Sequence, residues 1–129
     1  MTTIQLDHMI LAVNDMDESV VFYTRLLGLE YEGKREPFGV IRVTPEFTLQ
    51  LAPWGTRGGE HLAFAMPRTT FDEVFQRIRE AGIEYGDSFH AVGNMRGPAT
   101  EVGARGPGMS LYFFDPSKHL IEIRHYEGN

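Results

Sequence analysis

The stretch DHMILAVNDMDESVVFYTRLLGLEY (residues 7–31) lies over EHLAFAMPRTTFDEVFQRIREAGIEY (residues 60–85) with one inserted residue. Each copy opens with an acid and a histidine, His8 or His61. Each then runs through an apolar strand pattern and a helical pattern, and closes on Gly-Leu/Ile-Glu-Tyr at 28–31 and 82–85. Agreement at so many positions means that one supersecondary unit occurs twice. Met16, Val20, Tyr23 and Leu27 keep the spacing of one helix face, as do Phe71, Val74, Phe75 and Ile78. Asp15 with Glu18 and Thr70 with Glu73 read as capping boxes, and Gly28 and Gly82 as C-terminal stops. β-rich segments follow each helix: 29–35, 38–43 and 47–52 in the first half, then a short strand at 83–86 and clear strands at 109–114 and 119–126 in the second. The fold class is therefore α+β, built from two βαβββ modules.

Working outward, PWGTRGG (residues 53–59) is a turn-rich linker. It divides one domain, 1–129, into a first module at 4–52 and a second at 60–126. Residues 86–108 are rich in Gly and Pro and contain His90, Arg96 and Arg105. A loop of that length reads as an active-site lid hiding one poorly signalled strand.

The composition narrows the function classes. The chain has 129 residues, 42% hydrophobic and 23% charged, which is ordinary globular usage. Eighteen acids against twelve Lys and Arg give a net charge of -6 with no basic cluster, which argues against a nucleic-acid partner. No run of eighteen apolar residues occurs, and MTTIQLDHM has no apolar leader, so neither a membrane span nor secretion by a signal peptide is expected. Cysteine is absent, which excludes disulfides, thiolate metal sites and cysteine nucleophiles. A cytoplasmic location is expected.

Strand alternation sorts the chemistry-bearing residues. Ile121 and Ile123 share one face of the last strand, with Leu120, Glu122 and Arg124 on the other. Leu62, Phe64 and Met66 oppose His61, Ala63 and Ala65. Met9, Leu11 and Val13 oppose Leu6, His8, Ile10 and Ala12, and Leu49 and Leu51 oppose Thr48, Gln50 and Ala52. His8, Gln50, His61 and Glu122 thus all fall on the face away from the helices. In the repeat His8 matches His61 and Gln50 matches Glu122, so twofold-related halves would gather these four at the pseudo-axis. Two imidazoles and a carboxylate around an open volume form a metal site that keeps positions free for substrate.

These residues carry a resemblance. The histidine-opened strand, FYTRLLGLEY, EHLAFAM and LYFFDPSKHLIEI resemble the vicinal oxygen chelate superfamily of glyoxalases, extradiol dioxygenases, fosfomycin-resistance enzymes and bleomycin-binding proteins. The resemblance covers nearly the whole chain. It implies paired βαβββ modules forming a cupped mixed sheet around a divalent metal, with ligands at His8, His61 and Glu122 and a possible fourth at Gln50. A neutral amide is a weak donor, so three ligands are expected, as in the dioxygenase and fosfomycin-resistance branches. LYFFDPSKHLIE approaches the extradiol signature, with Tyr112 at its catalytic tyrosine. Lys118 replaces the small residue of that signature, and Ile10 stands where glutathione-using fosfomycin enzymes place a threonine.

Other candidates follow from the faces. Ser110 shares the cavity face with Tyr112, whose hydroxyl is placed to orient substrate or donate a proton. Arg42, on a face with Val40 and Phe38, is a candidate for an anionic substrate group. Arg124 is a candidate for substrate binding or for pairing with Glu122. His119 and His125 fall on the helix side of the last strand and read as structural or surface groups, and Trp54 as a cap on the cavity or a dimer contact. The expected function is a divalent-metal enzyme on a small oxygen-rich substrate, extradiol-type dioxygenase first. The alternatives are a glyoxalase-like lyase or isomerase, a fosfomycin-resistance-type enzyme, or a metal-free antibiotic-binding protein. Fe2+ or Mn2+ is the expected cofactor, with Zn2+ or Ni2+ as alternatives. A homodimer, with modules exchanged or not, is the expected assembly.

Overall fold

The computed structural model describes residues 3–127 and divides between Gly58 and Gly59 into two compact units. The first holds β1 (His8–Ala12), α1 (Met16–Val21), β2 (Glu30–Arg35), β3 (Phe38–Thr44) and β4 (Phe47–Ala52). The second holds β5 (His61–Ala65), α2 (Arg68–Glu80), β6 (Ala99–Gly103), β7 (Gly106–Phe114) and β8 (Leu120–His125). Both are βαβββ modules of one topology. Strand order is β1-β4-β3-β2 in the first and β5-β8-β7-β6 in the second. In each, the first strand runs parallel to the last and the other pairings are antiparallel.

Alternation buries one face of each sheet under its helix. In the first module Leu11, Val13, Ile41, Leu49 and Leu51 are fully buried, and Phe22, Tyr23, Leu26 and Leu27 pack from the helical side. In the second, Leu111, Phe113, Ile121 and Ile123 of the sheet meet Phe71, Val74 and Ile78 of α2. Each such side chain contributes roughly 2 kcal/mol by leaving water.

The helix ends follow local chemistry, with two departures from expectation. Asp15 caps α1, its carboxylate accepting the Glu18 N–H at 2.8 Å. Gly28 and Gly82 end their helices at φ 79° and 68°, a region other residues enter only with strain. The first helix, however, widens into a π-helical turn over Phe22–Leu26, where the Leu27 N–H reaches back to the Phe22 carbonyl. The extra residue per turn rotates the apolar stripe. Ser19, Phe22, Tyr23, Leu26 and Leu27 are buried, while Met16 and Val20 are only half-buried. The expected capping box at Thr70 is not formed, because α2 already begins at Arg68. The Arg68 N–H is taken by the Glu127 carboxylate at 2.6 Å instead.

The loop region also corrects the expectation. Residues 83–86 form no strand, and Gly86 makes only an isolated two-bond bridge with Tyr112. A Cβ at Gly86 would stand 2.1 Å from the Ala91 carbonyl oxygen, so the chain must be glycine there. The poorly signalled strand is β6, paired with an early extension of β7 down to Gly106. Among the described residues no helix is long and apolar enough to cross a membrane.

Candidate metal centre

The β7–β8 turn sets the geometry of the second module. The Asp115 carboxylate accepts the Ser117 and His119 N–H groups at 2.9 and 2.8 Å, closing the turn. The His119 ring in turn accepts the Glu60 N–H at 3.2 Å, and the Leu120 N–H donates to the Glu60 carbonyl at 2.8 Å. These bonds fix β5 against β8, so that His61 lies opposite Leu120 and Ala63 opposite Glu122. His61 and Glu122 are thereby diagonal neighbours on one face, with the small Ala63 leaving room between them.

Glu122 is almost wholly buried, and both its oxygens are engaged. Its Oε1 lies 3.0 Å from His61 Nε2. Its Oε2 accepts from the Ser110 hydroxyl at 2.8 Å and from Arg124 Nη1 at 2.6 Å. Arg124 also donates to Ser110 Oγ at 2.8 Å and to the Glu101 carbonyl at 2.9 Å. Burial alone would raise the Glu122 pKa. The hydrogen bonds from Ser110, Arg124 and His61 outweigh it and hold the carboxyl below its ordinary value. The carboxylate therefore stays ionised, with one oxygen tied down and the other turned to His61.

Tyr112 lies opposite Glu122 in the β7–β8 register, its ring centre 6.2 Å from that of His61. Burial, reinforced by the Glu122 charge, pushes its phenol up to about 12. At neutral pH it is a hydrogen-bond donor, not a base. His125 is buried edge-on against Phe71 at 4.9 Å, and His119 is buried in the turn, so of the two expected roles, structural or surface, both take the structural one.

The first module presents a different face. His8 is exposed, with Nδ1 2.7 Å from the Asp7 carboxylate. With Nδ1 so engaged, Nε2 is the ring nitrogen that could hold a metal. Gln50 pairs with Ile10 and Val40, and lines a polar cavity of about 410 Å3 together with Asp7, Thr48 and Arg42. The Arg42 guanidinium grips Glu32 through two bonds of 2.9 and 3.0 Å and also donates to the Thr44 and Pro45 carbonyls. Trp54 stacks edge-on to Phe38 at 5.9 Å and is largely exposed.

The donor set of the second module fits a divalent metal. Two ligand atoms about 2.1 Å from one ion, at a right angle, stand about 3 Å apart, and His61 Nε2 and Glu122 Oε1 are 3.0 Å apart. An ion would take the place of the proton between them. Ser110 and Arg124 supply the outer hydrogen bonds that orient a ligating carboxylate. Among the described residues no three His, Asp or Glu side chains are gathered as a metal site, and His61 with Glu122 make a pair. Sequence reasoning identified His61, Glu122, Ser110, Tyr112 and Arg124 as one face. It missed Tyr126, which lies beneath Arg124 with the guanidinium carbon 4.7 Å from the ring centre.

Known proteins resemble the chain over nearly its whole length. The profile of the Glyoxalase/Bleomycin resistance protein/Dioxygenase superfamily matches residues 5–123. The glyoxalase domain-containing protein RDO1 of Mycosarcoma maydis is 31% identical, over 95% of this chain and 68% of its own. Glutathione transferase FosA of Serratia marcescens is 25% identical, over 92% of this chain and 78% of its own. The solved structure of oxidase ChaP-H2 is 31% identical with a TM-score of 0.79, covering 98% of this chain and 96% of that one.

Proposed function

Since the chain belongs to the Glyoxalase/Bleomycin resistance protein/Dioxygenase superfamily, we propose that it is a divalent-metal enzyme acting on a small oxygen-rich molecule, with oxygen-dependent chemistry of the dioxygenase or oxidase kind. The observation that carries this reading is the His61–Glu122 pair, 3.0 Å apart, with the far carboxylate oxygen held by Ser110 and Arg124. His8, steadied by Asp7, is the third ligand, contributed by the same chain or by a second copy in a homodimer. Gln50 is left as a cavity residue. The bound metal supplies Lewis acidity toward two adjacent substrate oxygens, with Fe2+ or Mn2+ suited to the imidazole and carboxylate donors.

This chain's residues do the rest. Tyr112, neutral at working pH, donates a hydrogen bond to a substrate oxygen and can pass its proton to it. Ala63 and Ala65 leave space beside Glu122 for the substrate. The 31% identity to oxidase ChaP-H2 favours oxidation. The likeness to FosA supports group transfer as a second reading.

Plasma-emission analysis of protein purified anaerobically, without chelators or an affinity tag, tests the proposal. About one iron or manganese per chain supports it. Zinc or nickel moves the reading to lyase chemistry. No metal, and none taken up on reconstitution, overturns it in favour of a metal-free binding protein.

A further inference from the structure

The β6–β7 hairpin brings to the Glu122 side of the second module a cation that the proposed reaction has not used. Arg105 sits at the exposed turn, its guanidinium carbon 4.2 Å from the centre of the Tyr126 ring. Its backbone N–H points to the Tyr126 hydroxyl at 3.3 Å. The guanidinium has no carboxylate partner among the described residues. Arg124 lies over the same ring.

The platform is built, because two glycines make way for it. A Cβ on Gly103 would stand 2.3 Å from the Arg124 guanidinium carbon and 2.5 Å from the Tyr126 hydroxyl. A Cβ on Gly108 would stand 2.9 Å from Arg124 Nη2. A side chain at either position would displace the stack.

Two cavities meet at this stack. One, of about 190 Å3, runs from Glu122 and Ala63 to Arg105 and Tyr126. The other, of about 320 Å3, continues past Met66 and Pro67 to Glu127, whose carboxylate accepts the Arg68 N–H at 2.6 Å. Both are lined by Ala65, Arg105 and Tyr126. The inner cavity carries two guanidiniums, Arg105 and Arg124, against one carboxylate, Glu122, and that carboxylate is already neutralised by Arg124. The excess positive charge is confined to this inner cavity, since Glu127 lines the outer one, and in a protein of net charge -6 it marks the place for an anionic group.

We propose that Arg105, held on Tyr126, is a specificity residue that selects substrates bearing a carboxylate or another compact anion in addition to their metal-chelating oxygens. This rests on the metal-enzyme reading above. A guanidinium parked on an aromatic face, without a carboxylate partner, loses less freedom on binding an anion than a mobile arginine would.

Calorimetric titration of the Mn2+-loaded and metal-free protein tests it, with catechol as the neutral probe. The anionic probes are 3,4-dihydroxybenzoate and its one-carbon-longer homologue 3,4-dihydroxyphenylacetate. The loaded protein should bind at least one anion roughly tenfold tighter than catechol, the size of one charge-assisted contact. Arg105→Gln should remove that advantage and leave catechol binding unchanged. Tyr126→Ala should act as Arg105→Gln does, while Tyr126→Phe should retain the preference. Equal binding of anions and catechol, or equal weakening of both by Arg105→Gln, overturns the inference and leaves the metal reading standing. An anion preference that depends on Arg105 but is the same with and without Mn2+ keeps the inference and removes the metal reading.

Discussion

The two modules share a topology and a register but carry opposite electrostatics on their open faces. In both, a histidine opens the first strand, and the position two residues beyond its register partner faces the same way: Gln50 in one, Glu122 in the other. Opposite these lie Val40 and Tyr112. Two residues further along the last strand stand Ala52 and Arg124. The first module therefore places a neutral amide in a polar cavity with Asp7, Thr48 and Arg42, and keeps Arg42 paired to Glu32 of the edge strand. The second buries a carboxylate, an arginine and a serine in one hydrogen-bonded knot. A duplicated scaffold carries the strand-opening histidine twice and the carboxylate only once.

The largest effect that would break this contrast comes from Arg124→Met. Both partners of the Arg124–Glu122 pair are buried, so removing one leaves an uncompensated charge and costs about 3 kcal/mol. Thermal unfolding should fall by roughly 10 °C. The corresponding Arg42→Met, at a part-exposed pair, should leave the transition where it is. A drop as large as that of Arg124→Met would erase the distinction between the faces.

Ser110→Ala is the next step down. It removes one of two hydrogen bonds orienting Glu122 Oε2, so Mn2+ affinity measured by calorimetry should weaken roughly tenfold with little loss of stability. Thr48→Ala on the first module should leave the affinity unchanged.

A smaller signature separates Tyr112 from the other tyrosines. Ultraviolet difference titration of wild type against Tyr112→Phe should show one phenol ionising near pH 12 rather than 10. Because its folded pKa is raised, its contribution to stability is complete below about pH 10 and is lost as pH rises through 12. A step near pH 10 would mean that the Tyr112 ring is not enclosed beside Glu122.

Much of this contrast was legible in the sequence because it depends on alternation. Period two alone separates Glu122 and Arg124 from Ile121 and Ile123, and the repeat aligns His8 with His61. Features governed by backbone hydrogen bonding were not legible. The π-helical turn at Phe22–Leu26 leaves the residue pattern looking like an ordinary helix. Thr70 has the chemistry of a cap, yet Pro67 and the Glu127 carboxylate start α2 earlier. ATEVG, the β6 strand, carries too few apolar residues to declare itself and is defined by its hairpin partner. Gly103 and Gly108 were the available signal for the Arg105–Tyr126 stack. Their meaning appears only when a Cβ is seen to collide with Arg124.

The most direct test of the central claim, that the second module supplies the ligating carboxylate and the first only a histidine, is metal content after loading with Mn2+ and gel filtration. Wild type and Gln50→Ala should each retain about one ion per chain, and Glu122→Gln and His8→Ala should retain almost none. Retention by Glu122→Gln together with loss in Gln50→Ala would contradict the account.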